Sequence, residues 1–472
     1  MSRLPGVQRR DSLLRGWGTC ALLASCALAS CVGPLRVKVV DAPDAARVQT
    51  EQPFGSEGLS ERTAQTLRVL DLERMLADNP VGAIAILDSI WRGREAQPAL
   101  AAEAELLYLA AARVELQDPE MSAAWYLLAA ARAFEYLFGR PSSAMERAFD
   151  SNFLEMRELY NRAVAAYVVQ LDQSERGLRS HVRETAFETF RVRLDVDPTR
   201  VDPAQWDAVL VAADLEVKGL QNHYSRDGIG ASLVTLRENR QSEPMDRFHP
   251  PEGIVNPATA VVTFEPRAKG QGDEVREATL AFFDPRQLGT LEVDRFKRVP
   301  LAADFTTPFA YLVSRSELLR GAQEGLLHPA EVQPRQGLYL MEPYDPEKIP
   351  LIMVHGLRSS PLAWMELTND LFGDPVLRSR YQTWYYLYPT GLPFLYSGMV
   401  FRGSLELLRS ALDPEGGDPA MGSMVIVAHS MGGLLTRTLV SDSGMRLWNA
   451  ALRVPPEDLV ATEGEVEWLR EI

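Results

Sequence analysis

The sequence predicts an α/β fold for its C-terminal part, on three observations. Residues 349–354 form an unbroken apolar run of strand length, and a second such run occupies 424–427. Between them lie a strand-like stretch at 380–388 and a helical pattern at 402–412. Continuous apolar runs suit strands buried on both faces, and helical crossovers between them make a parallel sheet. Ahead of this partial sheet the chain predicts an α-helical hairpin array and then a β-rich segment. The expected organisation is a leader at 1–30, a tether at 31–59, the helical array at 60–180, the β-rich region at 181–336 and the α/β domain at 337–472.

The leader begins with Arg3, Arg9, Arg10 and Arg15, followed by an apolar stretch at 17–30. That stretch is too short to span a bilayer but suits a signal-peptide core. All three cysteines, Cys20, Cys26 and Cys31, lie at or before position 31, so the remainder has no thiol pair for a disulfide. Leu28-Ala29-Ser30-Cys31 resembles a bacterial lipobox. The resemblance implies cleavage before Cys31, lipidation of its thiol and a membrane contact through this lipid anchor. Several acyl chains give durable attachment where one gives only marginal affinity. The implied location is the cell envelope, facing the periplasm, with Val32 pointing to the outer membrane rather than the inner. A plain signal peptide with incidental cysteines is the alternative. From 32 to 59 the chain is polar, with scattered Pro and Gly, and reads as a tether.

A net charge of −15 argues against nucleic acid as a partner, because phosphate binding needs clustered cations. From position 60 to about 174, alanine-rich helices carry apolar residues at three- and four-residue spacing, with Leu106, Ala110 and Val114 on one face and Trp125, Ala129 and Ala133 on another. Breaks are expected at Asn79-Pro80, Asp118-Pro119 and Gly139-Arg140-Pro141. This array reads either as a platform for a protein partner or as a packing domain shielding one face of the C-terminal domain. Strand signals follow, beginning with the alternation Phe190, Val192, Leu194 and Val196, then at 260–264, 278–283, 291–296, 309–313 and 337–341. The last of these are expected to join the C-terminal sheet at an antiparallel edge. His223, His249 and His328 have no acidic or cysteine neighbours at ligand spacing, so no metal site is expected.

The chemistry lies in Ala428-His429-Ser430-Met431-Gly432, between the run at 424–427 and a helical pattern at 434–440. Strand, sharp turn and helix around a serine describe a nucleophile elbow, whose crowded bend needs small residues such as Ala428 and Gly432. The N–H of Met431, at the helix N-terminus, favours negative charge there. Upstream, the first apolar strand ends in His355-Gly356-Leu357.

Together these motifs resemble the α/β-hydrolases, in particular bacterial lipases and esterases. The resemblance covers about residues 337–450 and implies Ser430 as nucleophile, with the N–H groups of Leu357 and Met431 forming the oxyanion hole. Each donor is worth roughly 3 kcal/mol of barrier. Gly356 lets its backbone approach the reacting carbonyl, and His355 and His429 flank the site without acting as base. No cofactor is implied. The aromatic run Trp384, Tyr385, Tyr386 and Tyr388 reads as alternate core residues. Phe394 and Tyr396, after Pro389, read either as core or as the wall of an acyl pocket.

A serine needs a base, normally a histidine oriented by a carboxylate, and no histidine follows Ser430. Three explanations stand open: a sequence incomplete at its C-terminus, a pseudoenzyme that binds without cleaving, or a base from upstream such as His249 or His328. Asp442, Glu463, Glu465 and Glu467 are not nominated as the acid. The expected function is a serine hydrolase acting on acyl esters or lipid-like small molecules, lacking its acid and base in this chain. The alternative is a non-catalytic envelope lipoprotein acting as a scaffold or binding protein.

Overall fold

Leu35, Val37 and Val39 alternate with Arg36 and Lys38, and in the computed structural model Arg36–Val39 (β1) is a strand. The structure describes residues 35–39, 58–94, 96–139, 150, 152–196, 201–266, 275–294, 297–316, 324–452 and 454–471. The leader and Cys31 lie outside these residues. β1 corrects the tether reading at 36–39 only, since 40–57 lie outside the described residues; its two-residue alternation is short, and only pairing with a distant partner makes it a strand.

Six helices follow: α1 (Glu61–Val69), α2 (Glu73–Asp78), α3 (Pro80–Arg94), α4 (Gln97–Val114), α5 (Pro119–Phe138) and α6 (Phe153–Gln173). α3 and α5 start at the expected Pro80 and Pro119, and α5 ends at Phe138 before Gly139, while Arg140 and Pro141 lie outside the described residues. Ser60 caps α1 by accepting from the Thr63 N–H, and Asp118 caps α5 by accepting from the Met121 N–H at 3.0 Å, with Pro119 in the first turn. Consecutive helices pack on each other. Their buried face is alanine-rich, which lets helices approach closely, and it encloses a charged cluster. Fully buried Arg132 donates to Glu103 at 2.6 Å, to Asp88 at 3.0 Å and to Glu188.

The strands of the next region are β2 (His181–Glu184), β3 (Thr189–Leu194), β4 (Ala208–Val211), β5 (Leu215–Lys218), β6 (Ser225–Arg226), β7 (Ala231–Arg237), β8 (Ile254–Phe264), β9 (Arg276–Phe283), β10 (Thr290–Asp294), β11 (Lys297–Pro300) and β12 (Ala303–Asp304). A six-stranded sheet runs β2-β3-β9-β8-β7-β4, and β5 pairs antiparallel with β1. Period-two alternation sorts the faces of this sheet. Ala231, Leu233, Ala260 and Val262 pack with the helices, whereas Val234, Leu236 and Val255 face the other way. The Tyr160 hydroxyl of α6 donates to Val262 O at 2.7 Å. The helical array therefore covers this sheet, which corrects the reading of it as a domain packed on the C-terminal one.

A second correction falls at 309–313. This is helix α7 (Thr306–Arg315), not a strand. Phe309, Ala310, Leu312 and Val313 form one helical face, and the Thr307 N–H is anchored by Asp304 Oδ1 at 2.8 Å.

After two short turns, α8 (Glu324–Leu327) and α9 (Pro329–Val332), the second sheet is built from β13 (Gly337–Leu340), β14 (Ile349–Val354), β15 (Tyr381–Leu387) and β16 (Val425–Ala428) in the order β13-β15-β14-β16. β14 is parallel to both β15 and β16, and β13 is antiparallel to β15. Of the strand signals expected to join this sheet, only 337–341 does, as β13 at the antiparallel edge, and no described strand of 181–336 belongs to it. α10 (Met365–Gly373) and α11 (Pro375–Arg380) connect β14 to β15, and α12 (Phe394–Leu412) and the turn α13 (Pro419–Gly422) connect β15 to β16. α14 (Met431–Leu439), α15 (Arg446–Ala451) and α16 (Glu463–Glu471) complete the described elements. Leu351, Met353 and Tyr385 pack with α7 and α10, while Ile352, Val354, Trp384 and Tyr386 pack with α12 and α14. The chain is thus a mixed α/β protein whose second sheet carries helices on both faces. Among the described residues no helix is long and apolar enough to cross a membrane.

Candidate functional site

β14 and β16 are neighbours whose following helices pack on opposite faces of the sheet. Such a reversal opens a crevice at the carboxyl ends of the two strands. Val354 pairs with Ala428, and the His429 N–H donates to Val354 O at 3.0 Å. The chain then turns at Ser430 with φ 53° and ψ −119° and enters α14.

A positive φ at a residue with a side chain costs about 1–2 kcal/mol. Only Asp71, Gln241, Arg358 and Ser430 adopt it among the described non-glycine residues. Two of these four follow adjacent strands at one end of one sheet. Strain of this kind persists where the surroundings over-determine it, and it clusters at functional sites.

The two glycines show what over-determines it. A Cβ on Gly432 would lie 2.6 Å from both Val354 O and His355 O, so α14 starts hard against the end of β14. A Cβ on Gly356 would lie 2.7 Å from His429 Nδ1 and 3.1 Å from Ser430 Cβ. The turn after β14 and the turn after β16 are therefore in contact, with Leu357 the next residue along. Ser430 is exposed, as is Leu357. The Gly432 and Gly433 N–H groups donate to His429 O and Ser430 O. Met431 N–H opens the helix and has no intrahelical acceptor.

His355 is buried and locked in place. Its ring stacks on Tyr388, its Nδ1 lies 3.2 Å from Gly356 O, and its Nε2 faces the Tyr388 N–H at 3.5 Å. Burial lowers its pKa to about 4, so the ring is neutral at neutral pH and neither nitrogen is free to take a proton. His429 is exposed and packs over Gly356.

Neither upstream histidine is hydrogen-bonded to Ser430. His249 is buried with Nδ1 3.3 Å from Leu340 O, beside β13, which stands three strand spacings from β16, or roughly 14 Å. His328 is exposed between α8 and α9, and the Gly391 N–H donates to Gly325 O at 2.9 Å, which places α8 over the end of β15. Among the described residues Ser430 Oγ has no hydrogen bond to a histidine or carboxylate. Asp442 holds a turn by accepting from Gly444 N–H at 2.7 Å, and Glu465 closes a cap on Thr462.

All of Trp384, Tyr385, Tyr386 and Tyr388 are buried, because β15 has neighbours on both sides and layers on both faces. Phe394 opens α12 and is exposed, and Tyr396 is half-buried with its hydroxyl accepting from Gln333 at 3.0 Å. Both stand in the first turn of this helix rather than in the buried core. A small cavity lined by Val255, Phe305, Phe309, Met341 and Phe372 lies on the face of the sheet opposite α14. Among the described residues no cluster of three or more His, Cys, Asp or Glu is placed to hold a metal ion.

Two contributors carry no sequence signal that ties them to this site. Tyr388 supports the His355 turn, and Thr390 Oγ1 accepts from the Arg358 N–H at 3.3 Å, tying that turn to the connection after β15. Compared with protein-family models, with curated proteins and with solved structures, the chain matches none, so the reading of this site rests on its own residues.

Proposed function

We propose that residues 337–472 carry an acyl-ester site of the α/β-hydrolase, lipase or esterase type, with Ser430 as nucleophile. Ser430 Oγ would attack the ester carbonyl, the developing oxyanion would collect at the N–H groups of Leu357 and Met431, and the alcohol would leave. The observation that supports this reading most is the contact between two strained turns, one presenting an exposed serine and the other the Gly356-Leu357 backbone. Donors held in advance where charge develops are the largest single term in such reactions. The proton on Ser430 needs a base that the described residues do not bring to it. Cys31 would tether the protein to the envelope membrane, and lipid-like acyl esters are the substrate class consistent with that tether.

The second reading, a binding lipoprotein without turnover, is favoured by that same lack of a partner at Ser430 Oγ. An alkyl fluorophosphonate, with and without added imidazole as a surrogate base, separates the two. The proposal expects labelling on the Ser430 peptide, accelerated by imidazole and abolished in Ser430→Ala. p-Nitrophenyl ester turnover without imidazole stays at background in both proteins. Labelling that is absent, or equal in Ser430→Ala, removes the nucleophile reading.

A further inference from the structure

Arg358 is the only full charge in the three connections that leave the carboxyl ends of β14, β15 and β16, namely residues 355–364, 388–393 and 429–430. In a chain of net charge −15 this is a local reversal of sign. The residue is exposed, and among the described residues no carboxylate lies within ion-pair distance of it. The carboxylates on the helix that follows are already engaged: Glu366 accepts from the Gln221 N–H, and Asp370 accepts from Asn222 and Tyr224.

Its backbone is also unusual. Arg358 sits at φ 55°, where glycine or asparagine would be held at less cost. Its N–H donates to Thr390 Oγ1, so this cation rides on a turn pinned between two strand ends, one residue after Leu357. Apolar side chains are exposed on this turn and on the two elements tied to it, Leu357 at 51%, Leu434 of α14, which starts against the end of β14, at 53%, and Leu327 of α8, bonded to the connection after β15, at 68%. A lone cation among exposed apolar groups fits an amphiphile with an anionic group.

We propose that Arg358 selects acyl compounds bearing a phosphate or carboxylate near the ester. This rests on the acyl-site reading above and names the substrate class. The anion would pair with the guanidinium while the apolar chain covers the exposed leucines. The wider acidic surface would repel anions that lack such a chain.

The test is calorimetric binding to the 472-residue protein of dodecyl phosphate and neutral dodecyl maltoside, both below their micelle concentrations, and of inorganic phosphate. Dodecyl phosphate is expected to bind about fivefold tighter than the neutral probe, as one partly exposed ion pair allows, and less so at high salt. Arg358→Gln should erase this preference and Arg358→Lys should retain part of it. Arg358→Gly, which suits the left-handed backbone, should match Arg358→Gln and so exclude misfolding as the cause. Inorganic phosphate binding as tightly as dodecyl phosphate would show a bare anion site and overturn the amphiphile. A preference that survives in Arg358→Gln and Arg358→Gly, or no binding of either chain-bearing probe, overturns the proposal. Lost phosphonate labelling at Ser430 with the preference intact would sink the hydrolase reading alone.

Discussion

The imidazole of His355 lies flat on the ring of Tyr388, centroids 4.4 Å apart and planes 18° from parallel, while the Tyr388 hydroxyl donates to His355 O at 2.7 Å. The stack continues inward, Tyr388 to Tyr386 at 5.6 Å and Tyr386 to Phe401 at 4.0 Å. The turn carrying Gly356 and Leu357 is thus braced against the core through its first residue. Tyr388→Phe keeps the ring and loses the hydroxyl. It should cost about 1 kcal/mol in urea unfolding and slow labelling at Ser430. Unchanged labelling would show that the brace does not reach the site.

Acid should destabilise the protein through its buried histidines. Burial lowers His355 and His249 to about 4, while in the unfolded chain each titrates near its ordinary 6.5. Between those values the unfolded state binds more protons, so stability is whole above pH 6.5 and falls as pH drops toward 4. Each contributes a slope of up to about 1.4 kcal/mol per pH unit. His223, raised by its hydrogen bond to Asp304, acts in the opposite sense but is half exposed. His249→Asn should flatten the fall of Tm between pH 6.5 and 4; an unaltered slope would refute this account.

Gly432 has no room for a methyl group. Gly432→Ala places a carbon 2.6 Å from two carbonyl oxygens, and backbone cannot yield as a flexible side chain can. A loss of roughly 1–3 kcal/mol is expected, together with weaker labelling at Ser430, because α14 must shift. Gly433→Ala, which meets nothing within 4 Å, serves as the control and should be near neutral.

Arg132 holds together the acidic groups of the helical core. Arg132→Ala would leave Glu103, Asp88 and Glu188 without their shared cation, with an expected loss of about 3–5 kcal/mol. Chemical denaturation measures it, and a loss below 1 kcal/mol would contradict the burial seen here.

The anchor is tested at the N-terminus. Mass spectrometry of the protein from a bacterial envelope should find Cys31 acylated and first in the chain. An unmodified Cys31 on a soluble product would remove the tether.

Local chemistry made much of this legible in the sequence. The run from Ile349 to Val354 is a strand to the residue, since a fully apolar hexapeptide bounded by polar residues has few alternatives. Pro80 and Pro119 start helices because proline lacks the N–H that an interior turn needs. The serine turn was visible because its bend demands small neighbours. Elements whose pattern was short or ambiguous were not legible. Leu35, Val37 and Val39 form a strand only because β5 lies beside them, and Phe309 to Val313 is apolar enough for either structure until Asp304 anchors a helix there.

What the sequence by itself determined is the local grammar: the strand runs, the helix breaks and a serine between strand and helix. Which surfaces meet was decided by tertiary structure. The helices cover the first sheet, and β13 closes the second at its antiparallel edge. Arg358, with nothing in its own neighbourhood to mark it, is held left-handed on the turn whose Gly356 meets Ser430. These outcomes depend on register and packing between residues far apart in the chain, where the energy of closing a contact belongs to both partners and is written in neither segment alone.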